Sequence, residues 1–184
     1  MIYDKQFVQS KLEVFIKTVD DYETLNTRLL GVIDKLKETK KSYTSNVKAW
    51  HTHFGLHLET KEFDTLINVC LDFIYEVNEK EFSLSRKSLE YECVNLWAMD
   101  YERGEYTLPH IHYPANWSFV YYVDVIPDQS PVVFEDVKIY PKNGDLIMFH
   151  GMVEHGVPPT INARTAVSMN FMHKESAKFM NPDP

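Results

Sequence analysis

The sequence predicts an α+β protein, with a jelly-roll-like β core and helices from the N-terminal half packed on its outside. Two observations carry this. Up to about residue 87 the apolar residues recur at spacings of three and four, the period of an amphipathic helix. From residue 88 to about 175 the texture changes to short runs rich in Val, Tyr, Phe, Trp and Ile, broken by Gly, Pro and Asn, as in an antiparallel sandwich or barrel. A chain of 184 residues suits one unit, 1–184, with 1–87 mainly helical support and 88–175 the jelly-roll core.

The helical half reads as follows. Phe7, Val8, Leu12, Phe15, Ile16 and Val19 predict a first helix, and Tyr22, Leu25, Leu29, Ile33 and Leu36 continue the pattern. The polar stretch KETKKSYTSN breaks it, VKAWHTHFGLHL follows, and Phe63, Leu66, Ile67, Cys70 and Ile74 mark another amphipathic helix. The strands expected next are YECVNLWAMDY, WSFVYYVDV, VVFEDVKIY, DLIMFHG and RTAVSMNFM.

Composition narrows the function. A formal net charge of -8 without a basic stripe argues against nucleic acid, and no apolar run reaches the length of a membrane span. The start, MIYDKQFVQS, lacks the apolar core of a secretory signal, so the expected location is cytoplasmic. Cys70 and Cys93 sit in apolar surroundings without CxxC spacing and read as buried free thiols.

Strand alternation locates a site. In WSFVYYVDV the odd-numbered Trp117, Phe119, Tyr121 and Val123 belong in a core, which leaves Ser118, Val120 and Tyr122 on the other face. In RTAVSMNFM, Thr165, Val167, Met169 and Phe171 form the apolar set, against Arg164, Ala166, Ser168 and Asn170. A face combining Arg164 with several hydroxyls, if it points inward, lines an anion-binding cavity. His110 and His112, at i and i+2 on an extended segment, can grip one ion from the same side. The best third ligand is His155 in HGMVEHGVPP, beside a turn marked by Gly151, Gly156, Pro158 and Pro159. Arg164, nine positions on, can then hold the far end of a dicarboxylate whose near end sits on the metal.

The ordered set HIH, SFVYYV, PKNGDLIMF, HGVPP and RTAVSMNF resembles the Fe(II)/2-oxoglutarate-dependent oxygenases, in particular their prolyl-hydroxylase-like branch of phage and bacterial type. It covers about 70 of the 184 residues, Tyr101 to Phe171. The resemblance implies a double-stranded β-helix (jelly-roll) core and a dioxygenase of the hydroxylase type that consumes 2-oxoglutarate and dioxygen and releases succinate and CO2 while oxidising an unidentified substrate. It implies Fe(II) on His110, His112 and His155, and 2-oxoglutarate held by Arg164 and Tyr122, with Ser118 and Ser168 nearby. His112 stands where the family's HxD motif has aspartate, which removes one negative charge from the metal shell; such a shell can also hold Zn(II), Mn(II) or Ni(II).

Two rivals stay open at this point. One is a cupin-type dioxygenase using three histidines without 2-oxoglutarate, although ANWSFV lacks the glutamate expected there. The other is a jelly-roll module that binds metal or ligand without turnover. His51-Thr52-His53, a near copy of HIH, reads as structural or substrate-side because no strand and arginine complete it, and His57 and His150 read alike. Asn95 and Trp97 share one strand face and can contact substrate, although a packed tryptophan is the commoner outcome. The primary substrate and the oligomeric state are not legible in the sequence.

Overall fold

Residues 12–85, 89–128 and 130–178 are described here, from a computed structural model of the chain. In chain order the elements are β1 (Val14–Thr18), α1 (Tyr22–Thr39), β2 (Val47–Lys48), β3 (Trp50–His51), α2 (Leu56–Glu59), α3 (Asp64–Phe82), β4 (Tyr91–Tyr101), β5 (Tyr106–His110), β6 (Trp117–Asp124), β7 (Val132–Phe134), β8 (Val137–Ile139), β9 (Asp145–His150), β10 (His155–Val157), β11 (Arg164–His173) and α4 (Lys174–Ala177). The strands form a six-stranded sheet ordered β1-β9-β6-β11-β4-β3 and a five-stranded sheet ordered β2-β5-β10-β7-β8. Every ladder between these strands is antiparallel.

The period-2 pattern of the long strands assigns the two faces of the larger sheet. Phe119, Tyr121, Val123, Val167, Met169 and Phe171 pack with Leu29 and Ile33 of α1 and Leu66, Cys70 and Ile74 of α3 in one buried cluster. The alternate positions, Trp97, Met99, Tyr101, Val120, Tyr122 and Ala166, join Phe134 and Val157 of the smaller sheet in a second cluster. The result is three layers, helices, large sheet and small sheet, as expected when each sheet face must be buried against another element. Full burial of one Leu or Ile in the helix layer contributes about 1.5–3 kcal/mol, so the helices hold the sheet's outer face firmly. No helix among the described residues is long and apolar enough to cross a membrane.

One polar tie crosses the helix–sheet seam. Asn26 of α1 is buried; its amide donates to the Val123 carbonyl at 2.6 Å, and its Oδ1 accepts from the Tyr121 hydroxyl at 2.6 Å. The turn before β9 needs glycine: Gly144 has φ +83°, and a Cβ there would lie 2.3 Å from the Tyr22 ring.

The first expected helix is not one. Residues 14–18 form a strand that pairs with β9 from Val14↔Phe149 to Thr18↔Asp145. The segment VFIKT is β-branched and aromatic, and five residues are too few for spacing to separate a helix from a strand. The open edge of β9 decides, with Phe15 packed inward and Ile16 facing solvent. Phe7 and Val8 lie outside the described residues. VKAWHTHFGLHL supplies two short strands, one to each sheet, and VVFEDVKIY is a hairpin, β7–β8, turned at Glu135.

Candidate metal centre and chamber

His110 ends β5 and lies opposite His155, the first residue of β10, in the ladder of the smaller sheet. His112 follows two residues on, where its N–H donates to the Gly151 carbonyl at 2.7 Å and so ties the HIH segment to the turn before His155. That turn demands glycine, since a Cβ on Gly151 would stand 2.2 Å from the Ala115 carbonyl oxygen. The three imidazoles converge, with one ring nitrogen of each lying within 4.8 Å of the others.

Their tautomers suit a cation. The Leu108 carbonyl accepts from His110 Nδ1 at 2.9 Å, and the Val153 carbonyl faces His155 Nδ1 at 3.2 Å. A proton on each Nδ1 leaves Nε2 as a bare lone pair, the arrangement that orients a metal-ligating histidine. All three rings are held neutral: burial pushes His112 down to about 2 and His155 to about 3, with the neighbouring histidines adding to both, and burial also lowers His110. Phe134 stacks on the His155 ring, with centroids 5.5 Å apart, and Phe149 lies against it at 4.5 Å. Neutral, desolvated nitrogen donors that converge on one point form a site for a divalent transition-metal ion.

The histidines open into a chamber of about 310 Å³ between the two sheets. Register runs its floor in steps: Arg164 opposite Tyr101, Ala166 between Met99 and Tyr122, Ser168 between Trp97 and Val120, Asn170 between Asn95 and Ser118. Arg164 is 4% exposed and forms no salt bridge among the described residues; its Nη1 donates to the Ser130 carbonyl at 3.2 Å, and Nε has no acceptor. The guanidinium lies over the rings of Tyr101 and Tyr122, 4.8 Å and 5.5 Å from their centroids. The Tyr122 hydroxyl is buried without a partner among the described residues, and burial pushes it up to about 12, so it remains a donor. A buried guanidinium without a carboxylate, beside a free phenol, is stabilised by an anion from outside the chain.

Ser168 lines the same chamber. Ser118 is placed differently from the rest: its hydroxyl donates to Asn170 Oδ1 at 2.8 Å, four residues along β6 from Tyr122. At about 3.3 Å per residue that is about 13 Å of strand, too far to share one small anion with Arg164. The other HxH pair is spent on the fold. His51 is fully buried, with Ser45 Oγ at 3.0 Å from Nε2 and the Thr52 carbonyl at 2.8 Å from Nδ1, whereas His53 pairs with Glu59 at 2.7 Å. Tyr101, whose hydroxyl is 2.6 Å from Thr107 Oγ1, is a chamber residue that the sequence reading passed over. It shares the period-2 face of Asn95 and Trp97, which was the available signal.

No family model matches the chain, and neither does any curated protein. Solved structures do. The non-heme alpha-ketoglutarate-dependent epimerase SnoN from nogalamycin biosynthesis aligns with TM-score 0.67 and 14% identity, covering 87% of this chain and 77% of that one. A Trichoplax adhaerens prolyl hydroxylase in complex with a hypoxia inducible factor peptide fragment aligns at 0.64 and 14%, covering 92% and 87%. The viral collagen prolyl hydroxylase of Paramecium Bursaria Chlorella virus-1, in its 2OG complex, aligns at 0.59 and 15%, covering 85% and 94%. The chain therefore has the fold found in 2OG-Fe(II) oxygenases and prolyl hydroxylases.

Proposed function

We infer that this chain, sharing its fold with those oxygenases, is itself a 2-oxoglutarate-dependent Fe(II) oxygenase of the hydroxylase type, built on a double-stranded β-helix. The observation that carries the reading is the pairing of a neutral three-histidine cluster with a buried, carboxylate-free Arg164 in one chamber. A metal ligand set alone fits many enzymes. The unmatched cation and the idle Tyr122 hydroxyl at the closed end add a demand for an anion, which a dicarboxylate spanning the two satisfies.

In this reading His110, His112 and His155 hold the ion, and Arg164 with Tyr122 receives the remote carboxylate of 2-oxoglutarate, while Ser168, four residues along β11 from Arg164, lines the chamber beside Trp97. Bound Fe(II) and 2-oxoglutarate would supply the oxidising power, coupling dioxygen to oxidation of a substrate C–H bond with release of succinate and CO2. The chain's own part is geometric and electrostatic. The Leu108 and Val153 carbonyls keep two imidazoles in the ligating tautomer. Phe134 and Phe149 shield His155 from water, and Val120, Val132 and Val157 make the chamber wall apolar, which strengthens the Arg164 anchor.

Anaerobic titration of 2-oxoglutarate into the Fe(II)-loaded protein, followed by the visible metal-to-ligand charge-transfer band, tests this. The band is expected in the parent and absent in His155→Ala. Arg164→Met removes a charge-assisted contact worth about 1.5–3 kcal/mol, so its 2-oxoglutarate requirement should rise roughly 10- to 150-fold with iron content unchanged. Iron bound without a band overturns the reading in favour of a three-histidine dioxygenase that needs no 2-oxoglutarate, or of a binding module without turnover.

A further inference from the structure

Beyond the anion end, the chamber holds a second set of polar groups that the metal and 2-oxoglutarate leave unused. Trp97 projects from β4 into the chamber with 4% of its surface exposed, and its ring lies against His112 with centroids 5.7 Å apart. Its indole Nε1–H is buried and has no acceptor among the described residues. A desolvated donor left unpaired costs about 1–3 kcal/mol, so an acceptor from outside the chain is strongly favoured there.

Two residues toward the N-terminus on the same face stands Asn95, the end of a relay. Ser118 donates to Asn170 Oδ1 at 2.8 Å, and Asn170 Nδ2 donates to Asn95 Oδ1 at 3.4 Å. The relay engages one lone pair of the Asn95 oxygen, so the Asn95 side chain, which lines the chamber, still has its amide N–H groups to offer. Trp97 and Asn95 therefore both offer N–H donors, about 7 Å apart along the strand.

Charge completes the specification. Among the described residues lining the chamber there is no Asp, Glu or Lys, and Arg164 lies at the far, closed end of the β4–β11 floor. The outer half is walled by Phe54, Val94, Ile111, Tyr113 and Met172, and Ile111 and Tyr113 carry the apolar surface out to solvent. A carboxylate or ammonium entering this half would be desolvated without a counter-ion, whereas a neutral carbonyl would be matched by the two donors.

We propose that Trp97 and Asn95 form the substrate-recognition wall of the chamber, and that the substrate is a neutral, largely apolar molecule or segment held by a carbonyl acceptor next to the metal. This rests on the oxygenase reading only for calling the ligand a substrate; the recognition wall stands on the chamber itself. A charged group on such a substrate would have to stay at the solvent-exposed mouth marked by Ile111 and Tyr113.

The test uses three probes of one shape and different charge: phenylacetamide, phenylacetate and phenethylammonium. Each is titrated into the ¹⁵N-labelled full chain loaded with Zn(II) and 2-oxoglutarate, and the three indole N–H resonances, of Trp50, Trp97 and Trp117, are followed together with the backbone amide resonances of the chamber residues, which report binding in the Trp97 variant as well. Trp97→Phe identifies the relevant peak. The expected result is a downfield movement of the Trp97 resonance with phenylacetamide, at least tenfold tighter binding of the amide than of either charged probe, and a roughly fivefold loss in Trp97→Phe. Because the Trp97 ring lies against His112, the 2-oxoglutarate titration of that variant is measured beside the amide titration and should weaken less than it does. Equal or better binding of phenylacetate, amide binding indifferent to Trp97→Phe, or no movement with any probe overturns the proposal. Failure of the oxygenase reading would instead appear as no response to 2-oxoglutarate itself, with the Trp97 signal still readable.

Discussion

The Nε2 atoms of His112 and His155, 43 residues apart in the chain, lie 3.3 Å from each other. Two nitrogens bound to one ion at about 2.1 Å stand about 3.0 Å apart at a right angle and about 3.4 Å apart at the tetrahedral angle. The pair is thus already at ligand spacing, and with neutral rings it needs either a shared proton or a cation between them. We expect His112→Ala and His155→Ala each to lower affinity for divalent transition metals at least a hundredfold. Far-UV circular dichroism of the metal-free variants should match the parent. Isothermal titration calorimetry with Zn(II) measures the first and controls the second; unchanged affinity in either variant removes that residue from the ligand set.

The Asn26 tie is expected to be stabilising out of proportion to its size. Asn26→Leu removes a donor from the Val123 carbonyl and an acceptor from the Tyr121 hydroxyl, and strands both in the helix–sheet seam. Each orphaned group costs about 1–3 kcal/mol, so urea unfolding should show a loss of about 2–5 kcal/mol. Tyr121→Phe made in the same background should restore part of it, because the hydroxyl no longer needs a partner.

Acid should destabilise the chain through His51. Burial is the main cause that lowers its pKa from the ordinary 6.5, partly offset by the Thr52 carbonyl. The unfolded chain takes up this proton below about pH 6.5, and the folded chain does so only at lower pH. The contribution is therefore complete above about pH 6.5 and shrinks as pH falls toward the lowered value, with a slope of at most about 1.4 kcal/mol per pH unit. Melting curves between pH 7.5 and 5 should show His51→Gln losing less stability on acidification than the parent. Parallel curves for the two proteins would show that another group sets the acid limb.

Gly144→Ala should be severe, and Gly31→Ala should be mild. An added methyl at 144 meets the Tyr22 ring on a backbone with φ +83°, whereas at 31, inside α1, nothing lies within 4 Å. The first combines strain and overlap and should cost about 2 kcal/mol or more, while the second should gain up to about 1 kcal/mol from helix propensity. Thermal denaturation of the two variants checks the contrast directly.

The thiols should be silent in the native state. Cys70 is fully buried, with its Sγ 3.7 Å from Met169 Sδ, and burial raises it well above an ordinary thiol; Cys93, expected to be buried, is only half-buried, but its Sγ donates to the Asn95 carbonyl at 3.3 Å and burial of the sulfur pushes it up to about 12. Ellman's reagent at pH 8 should label neither within minutes and both on addition of denaturant. Rapid labelling of Cys70 would mean that the helix layer opens far more readily than its packing implies.

By itself the sequence determined what is periodic or punctuated. Alternation along β6 and β11 separated the helix-facing residues from Val120, Tyr122, Arg164 and Ser168, and the turn glycines and prolines placed His155 at a strand junction in order behind His110 and His112. These features are local, and strand geometry translates them into faces without knowledge of the partner. Only the tertiary structure decided matters of partnership. The free edge of β9 turned 14–18 into a strand although its spacing also suited a helix. Register put Ser118 against Asn170, away from Arg164, and packing left Trp97 Nε1, the Tyr122 hydroxyl and Arg164 Nε without an acceptor among the described residues. The same step separated two look-alike motifs: both ring nitrogens of His51 find partners in Ser45 and Thr52, whereas the Nε2 of His112 finds another histidine, His155, across the sheet. A side chain's type limits which bonds it can make, and packing against distant strands settles which of them it does make.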